Sequence, residues 1–329
     1  MPLKVLFIGG TGQISLTCVQ AAVAKGHNVT VFNRGQSNVA LPEGVTQLTG
    51  DFSDAEAYRA AARAGWDAVC QFIAFTPQDI QRDVEIFTGQ TDQYIFISTA
   101  SAYQKPIRAC PITEDVPLEN PFWEYSRLKA AAESVLTAQP DLPWTIVRPS
   151  HTLRSRLPTA LGEHDLAAER LLANRPVIVP GDGTSLWTLT RCEDFAQPFV
   201  GLFGNLGAIR QAFHLTSDTA FTWDAIYQAL AEALGTKADI VHVPTDTLIR
   251  FRPDWEGPLL GDKANTAVFD NSKIKSVVGN FECADTLGAV LAEPMRNFNA
   301  RTKDRTAGSD ELGNLLDAIA AAQRSINAP

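Results

Sequence analysis

Short, nearly continuous apolar runs alternate with helical periodicities through the first half of the chain. Lys4 to Ile8 is the first run, rich in residues that favour β structure, and reads as a strand covered on both faces of a parallel sheet. Ile14 to Lys25 places apolar side chains at helical spacing, with Gly26 positioned to end that helix. The alternation continues through strands at Val29 to Phe32, Val45 to Leu48, Ala68 to Phe72 and Tyr94 to Ile97. Helices are expected at Asp54 to Ala64, Gln78 to Thr88 and Glu124 to Ala138, and a sixth strand at Trp144 to Val147, closed by Arg148-Pro149. This rhythm predicts a doubly wound α/β sheet that takes its ligands at the carboxyl ends of the strands.

Beyond about residue 150 the rhythm breaks. Short strands (Val177 to Val179, Ala212 to Leu215, Ile240 to Val243) mix with helices at about Leu166 to Ala173, Thr222 to Leu234, Asp285 to Phe298 and Asp310 to Ser325. The expected division is a Rossmann-like dinucleotide-binding domain over 1–150 and a smaller α/β substrate lobe over 151–329, with some late elements returning to the main sheet.

Composition narrows the functional classes. A hydrophobic content of 45% and a charged content of 20% over 329 residues suit a soluble globular protein, and the formal charge of −9 disfavours a polyanionic partner. Nucleic acid is therefore not expected. The first apolar run stops at Gly9, too short for a signal-peptide core or a membrane span, so a cytoplasmic protein is expected. The five cysteines are scattered without a C-x-x-C pair, and the five histidines, His27, His151, His164, His214 and His242, show no ligand spacing. Neither a disulfide framework nor a metal site is expected.

Two motifs carry the chemistry. Gly9-Gly10-Thr11-Gly12-Gln13-Ile14-Ser15 follows the first strand and opens a helix, so Gly9 permits a tight turn and Gly12 a close approach of backbone to a pyrophosphate. Ser15 occupies the third glycine position, which slightly enlarges the helix-to-strand contact. At the end of the second strand stand Asn33-Arg34 and no carboxylate, which favours NADP(H) over NAD; a solvated loop cation is the plain alternative for Arg34. After the third strand, Gly50-Asp51-Phe52 could meet the adenine, or Asp51 could cap the next helix.

The second motif is Tyr125-Ser126-Arg127-Leu128-Lys129. Tyr125 and Lys129 share one helix face, and a nearby ammonium would lower the tyrosine pKa toward a usable acid or base. The hydroxyls of Ile97-Ser98-Thr99-Ala100-Ser101-Ala102-Tyr103 fall at the carboxyl end of the fifth strand and face the same crevice.

With these motifs in this order, the chain resembles a divergent branch of the extended short-chain dehydrogenase/reductase family, the NAD(P)-dependent epimerase/dehydratase group, over about residues 3 to 215. The resemblance assigns catalysis to Thr99, Tyr125 and Lys129, with Ser98 the second choice for the hydroxyl, and gives Asp51 weight as an adenine contact. It places Gly9, Thr11, Gly12, Gln13, Ile14, Asn33, Arg34, Asp51 and Phe52 along the cofactor. Phe72-Ile73-Ala74 occupies the strand-four position beside it, and Pro149, Ser150 and His151 belong to the segment beside the nicotinamide. Ser101, Tyr103, Trp187 and Arg191 are substrate-side candidates; for Trp187 lobe packing and for Arg191 an ion pair with Glu193 or Asp194 serve equally.

Dehydratases of that family carry an Asp-Glu pair after the catalytic threonine, whereas Ala100-Ser101 stands here, so elimination is disfavoured. The resemblance implies reversible hydride transfer at a secondary alcohol or ketone of a sugar, nucleotide sugar or similar small molecule. Alternatives are a nucleotide-sugar epimerase that retains its cofactor and a non-catalytic nucleotide-sensing or RNA-binding relative. A homodimer is the family's habit.

Overall fold

Strand β1 (Lys4–Ile8) leaves no surface of Val5, Leu6, Phe7 or Ile8 exposed, as its unbroken apolar run requires of a strand packed on both faces. It lies at the centre of a computed structural model that describes residues 1–162, 165–301 and 311–327. The chain continues through α1 (Ser15–Ala24), β2 (Asn28–Asn33), β3 (Thr46–Thr49), α2 (Ala55–Ala62) and β4 (Ala68–Gln71). After these come α3 (Pro77–Phe87), β5 (Tyr94–Ile97), α4 (Glu124–Thr137) and β6 (Trp144–Pro149). Each lies within about two residues of the predicted element, a spread normal for helix and strand ends.

The later part contributes β7 (His151–Leu153), α5 (Leu166–Leu172), β8 (Val177–Pro180), β9 (Leu186–Arg191), α6 (Cys192–Gly201), β10 (Gln211–Leu215), β11 (Ala220–Thr222), α7 (Trp223–Ala233) and β12 (Ile240–Val243). It closes with α8 (Thr245–Phe251), the single turn α9 (Glu256–Pro258), a π-helical turn Leu259–Lys263, α10 (Ser272–Val278), α11 (Leu287–Arg301) and α12 (Glu311–Asn327). Asp310, the expected start of the last helix, and His164 lie outside the described residues.

Seven parallel strands form the main sheet in the order β10-β6-β5-β4-β1-β2-β3. Strand order reverses between β1 and β4, so a crevice opens there at the carboxyl ends, where such sheets hold ligands. One face of the sheet buries Val19, Phe195, Phe199 and Phe203 from α1, α6 and the turn after it; the other buries Tyr58, Ile80, Phe87 and Leu136 from α2, α3 and α4. β10 comes from the later part of the chain and pairs with β6 from Gln211↔Thr145 to Leu215↔Pro149.

The remaining strands form a three-stranded sheet β11-β9-β7 and a two-stranded sheet β12-β8. Their core gathers Trp187, Trp223, Tyr227, Leu230 and Phe298. Among the described residues no helix is long and apolar enough to cross a membrane, and no cluster of His, Cys, Asp and Glu could hold a metal ion.

Candidate active site

The glycine turn joins β1 to α1 at the switch point. Gly9 has φ +89°, and a Cβ there would come within 2.5 Å of Ile73 Cγ2, so both conformation and space demand glycine. Ser15 does more than fill the third glycine position. Its hydroxyl donates to the Gly9 carbonyl at 2.7 Å and accepts the Gly12 N–H at 2.9 Å, which locks the turn. α1 has no side-chain cap, which leaves its N-terminus available to an anion.

This turn is one wall of a cavity of about 650 Å³ lined by Gly9, Thr11, Gly12, Asn33, Arg34, Asp51, Phe52 and Ile73, together with Gln36, Ser37 and Phe75. Asn33 Oδ1 accepts from Gly35 N and Gln47 Nε2, both at 2.8 Å, which fixes the amide orientation. Its Nδ2 is buried without a partner, so the amide offers the site a donor and no acceptor. Arg34 is exposed at the rim, and its charge helps hold the Asp51 carboxyl below the usual range, after the stronger effect of hydrogen bonds from Ser53. Asp51 accepts from Ser53 N and Oγ; Asp54 is the residue that caps α2. The capping alternative for Asp51 is thereby removed.

Three of the expected cofactor residues have other engagements. Gln13 turns away from the cavity, its side chain meeting Ser155 and its carbonyl accepting from Arg154 Nε at 2.9 Å, so it ties the glycine turn to the later part of the chain. Phe72 stacks on Phe7 and meets Phe199 edge-on in the core, because alternation along β4 sends Ile73 rather than Phe72 to the cavity. One face of the Phe52 ring is covered by the Arg82 guanidinium at 3.7 Å. Ile14 is the backbone cap of α1, Ala74 is fully buried, Pro149 ends β6 opposite Leu215 of β10, and Ser150 links β6 to β7.

α4 carries Tyr125 and Lys129 past the end of β5. Thr99 caps the short turn that follows β5, and Thr99, Ser101 and Ser126 form a chain of hydroxyls at 2.9 and 2.7 Å. Burial raises the Tyr125 pKa above its ordinary value; the Thr99 hydroxyl, which faces it, eases ionisation, and the Asp262 charge opposes it. The expected lowering by Lys129 is not seen. Lys129 instead donates from Nζ to the carbonyls of Ala74 at 2.7 Å and Ile97 at 2.8 Å, between the rings of Phe75 and Phe96. Burial brings its pKa down to about 7, against the pull of Glu133 and Asp79. Ser98 Oγ is buried without a partner and does not join the hydroxyl chain.

The substrate-side candidates separate in the structure. Ser101 lies in the hydroxyl chain. Tyr103 is fully buried, accepting from Arg148 at 3.1 Å and paired with His214 Nδ1 at 3.0 Å, in a network anchored by the buried Arg148–Glu133 ion pair at 2.6 Å. Trp187 is buried and stacked on Trp223 with ring centres 5.6 Å apart, so its apolar surface belongs to the core rather than to a substrate. Its indole N–H donates to His151 Nδ1 at 3.2 Å, and burial, with help from Lys263, pushes His151 down to about 3. A histidine neutral at all working pH values is a poor proton shuttle. Arg191 pairs with Asp194 at 2.5 Å and Glu193 at 3.5 Å, the structural alternative.

Several residues at the site have no sequence signal of their own. Phe75 lines the cavity beyond the strand-four motif. Asn120 donates to the carbonyls of Ser101 and Gly261, both at 2.7 Å, and bridges two segments far apart in sequence.

Residues 9–162 match the NAD(P)H-binding family. The chain is 28% identical over 254 residues to the chloroplast stem-loop binding protein of 41 kDa b of Arabidopsis thaliana, a match covering 73% of this chain and 65% of that protein. It is also 28% identical over 254 residues to 2'-dehydrokanamycin reductase of Streptomyces kanamyceticus, covering 74% of this chain and 70% of the reductase. Just under two thirds of the chloroplast protein's own length is thus spanned. The fold is similar to that of the Bordetella bronchiseptica enzyme WbmG, solved with NAD and UDP, at a TM-score of 0.72 and 17% identity over 92% of this chain and 95% of that one.

Proposed function

We propose that this chain, whose residues 9–162 match the NAD(P)H-binding family, is an NADP(H)-dependent oxidoreductase of the short-chain dehydrogenase/reductase type acting at a secondary alcohol or ketone of a sugar-like small molecule. The observation that carries this reading is the convergence of Tyr125, Thr99 and Lys129 at the carboxyl end of β5, with Lys129 fastened to the turn beside the glycine cavity. The kinship with a reductase, 28% identical, supports the same chemistry.

The residues fit a dinucleotide. Gly9 leaves room that a Cβ would fill, the uncapped end of α1 suits a pyrophosphate, and Asn33 Nδ2 offers an unsatisfied donor where the adenosine ribose or its phosphate would lie. A donor-only amide beside Arg34 suits a 2′-phosphate better than it suits a pair of ribose hydroxyls, which favours NADP(H). A bound nicotinamide supplies or accepts the hydride. Tyr125 exchanges the proton with the substrate oxygen, and Thr99 donates a hydrogen bond to that oxygen, its own hydroxyl oriented by Ser101 and Ser126. An ammonium has three donors; two of those on Lys129 go to Ala74 and Ile97, leaving the third for a cofactor ribose hydroxyl.

The test is direct. Dissociation constants for NADPH and NADH, followed by reduced-nicotinamide absorbance with a panel of keto-sugars, should show preference for NADPH and turnover of at least one ketone. Equal affinity or preference for NADH would remove the NADP(H) assignment, and cofactor held through every cycle would identify an epimerase instead. With a formal charge of −9, stem-loop binding of the kind named for the chloroplast relative is not proposed for this chain.

A further inference from the structure

Two neighbouring strands of the later part end on one carbonyl of the glycine turn. β7 and β9 pair in parallel with Leu153 opposite Arg191, and the residues that follow these two, Arg154 and Cys192, both reach Gln13. Arg154 Nε donates to the Gln13 carbonyl at 2.9 Å and its Nη2 to the Gly12 carbonyl at 3.2 Å. Cys192 Sγ lies 3.2 Å from the same Gln13 oxygen; burial holds the thiol protonated, so the sulfur is the donor. In return the Gln13 side chain grips the strand end. In the amide orientation that satisfies both its ends, its oxygen accepts Arg154 N at 2.9 Å and Ser155 N at 3.1 Å. Asn297 Nδ2 of α11 donates to the Arg154 carbonyl at 2.9 Å, which anchors this segment in the lobe.

Each peptide unit is planar, so a held carbonyl also fixes the direction of the N–H across the same bond. The Gly12 oxygen thereby sets the Gln13 N–H and the Gln13 oxygen sets the Ile14 N–H, the amides at the uncapped N-terminus of α1. Glycine-rich backbone has the most freedom to lose when a pyrophosphate orders it, and holding it beforehand lowers that cost. Arginine suits the task, because its planar fork can bridge two successive carbonyls in a fixed geometry. Gly9, Thr11 and Gly12 meanwhile line the cavity from which Gln13 turns away. The strands that grip the turn also run through the core of the lobe: β7 begins at His151 and β9 contains Trp187, joined to each other at 3.2 Å.

We propose that Arg154 is a positioning residue that couples the glycine turn to the β7–β9 pair: a dinucleotide seated on the turn steadies this pair, and a substrate that orders the lobe tightens the dinucleotide. The second half follows from the first, because a coupling free energy acts equally in both directions. Arg154 does this without touching the cofactor, by aiming two amides from behind. The assignment rests on the dinucleotide part of the proposed function and is independent of the reaction catalysed.

Hydrogen–deuterium exchange of the whole protein tests the coupling without turnover, with and without saturating NADPH, or NADH if that binds more tightly. The dinucleotide should slow exchange in residues 151–157 by at least about threefold, although none of them lines the cavity, while β12, paired only with β8, changes by less than about 1.5-fold. Arg154→Met should confine the slowing to the glycine turn and weaken the dinucleotide by about tenfold. Arg154→Lys, which keeps a donor, should recover about half of that loss on a logarithmic scale. A residue serving stability alone would lower the melting temperature and leave both readings as in wild type. Where Arg154→Met does not fold, Arg154→Gln takes its place, and the wild-type comparison stands by itself. Wild-type slowing that stops at the turn, slowing of 151–157 that survives Arg154→Met, or unchanged affinity in that variant overturns the proposal and spares the oxidoreductase reading. Coupled slowing in a protein that reduces no ketone does the reverse, and a protein that binds neither dinucleotide overturns both.

Discussion

Lys129 Nζ donates to the Ala74 carbonyl at 2.7 Å, which ties the helix bearing Tyr125 to the turn that borders the cofactor cavity. With its pKa brought down to about 7, Lys129 changes charge near neutral pH. Below that value it has three donors; above it the amine has two, both already committed to carbonyls. NADPH affinity should therefore fall by about tenfold as pH rises from 6 to 8.5, the loss of one charge-assisted hydrogen bond. Fluorescence titration of NADPH across that range measures it, and Lys129→Met should flatten the profile. The stability effect has the opposite sign. An unfolded lysine keeps its proton to about 10.5, so between 7 and 10.5 the unfolded state binds more protons and folding gains stability as pH rises.

Asn33→Asp should reverse the cofactor preference. Its Oδ1 would still accept from Gly35 and Gln47, while the second oxygen would replace the unpartnered donor with an acceptor for ribose hydroxyls and a charge that repels a 2′-phosphate. NADPH should weaken by roughly tenfold or more and NADH should strengthen, read as two dissociation constants. Arg34→Ala should weaken NADPH alone.

Gly9→Ala should abolish cofactor binding in a protein that still folds. The substitution forces a side chain into the left-handed region, at a cost of about 1–2 kcal/mol, and drives its Cβ into Ile73. A loss of NADPH affinity with a melting temperature only a few degrees lower is the expected pattern.

Trp187→Ala separates packing from chemistry. The ring is buried against Trp223, so its removal should cost about 3–5 kcal/mol in denaturant unfolding. NADPH affinity at low temperature should be unaffected, since the cavity between β1 and β4 has no contribution from Trp187.

The parallel sheet was legible because its inner strands β1, β4 and β5 are short apolar runs set apart by helical spacing, although the edge strand β3 is mostly polar, and the glycine turn and Tyr125-Ser126-Arg127-Leu128-Lys129 were legible because their spacing is local. What the sequence hid is tertiary. β9 runs into α6 with no turn between Arg191 and Cys192, and Pro198 inside α6 argues against the helix that forms. Trp187 and Tyr103 looked like substrate contacts because an aromatic near a site motif has the same sequence appearance whether it faces a cavity or a core. Lys129 matched the expected position, yet its ammonium turned toward Ala74 and Ile97, partners set by the approach of two strand ends. Asp262 lies far from every motif in sequence, yet the fold brings its charge within reach of Tyr125, with Asn120 tying the neighbouring Gly261 carbonyl to Ser101.

The central claim is that Tyr125 moves the proton that accompanies hydride transfer. Its most direct test is a single-turnover measurement of NADPH oxidation by Tyr125→Phe with whichever ketone the wild-type protein reduces. The account predicts a rate lower by about a hundredfold or more, with NADPH affinity within about twofold of wild type. Oxidation at the wild-type rate would contradict it.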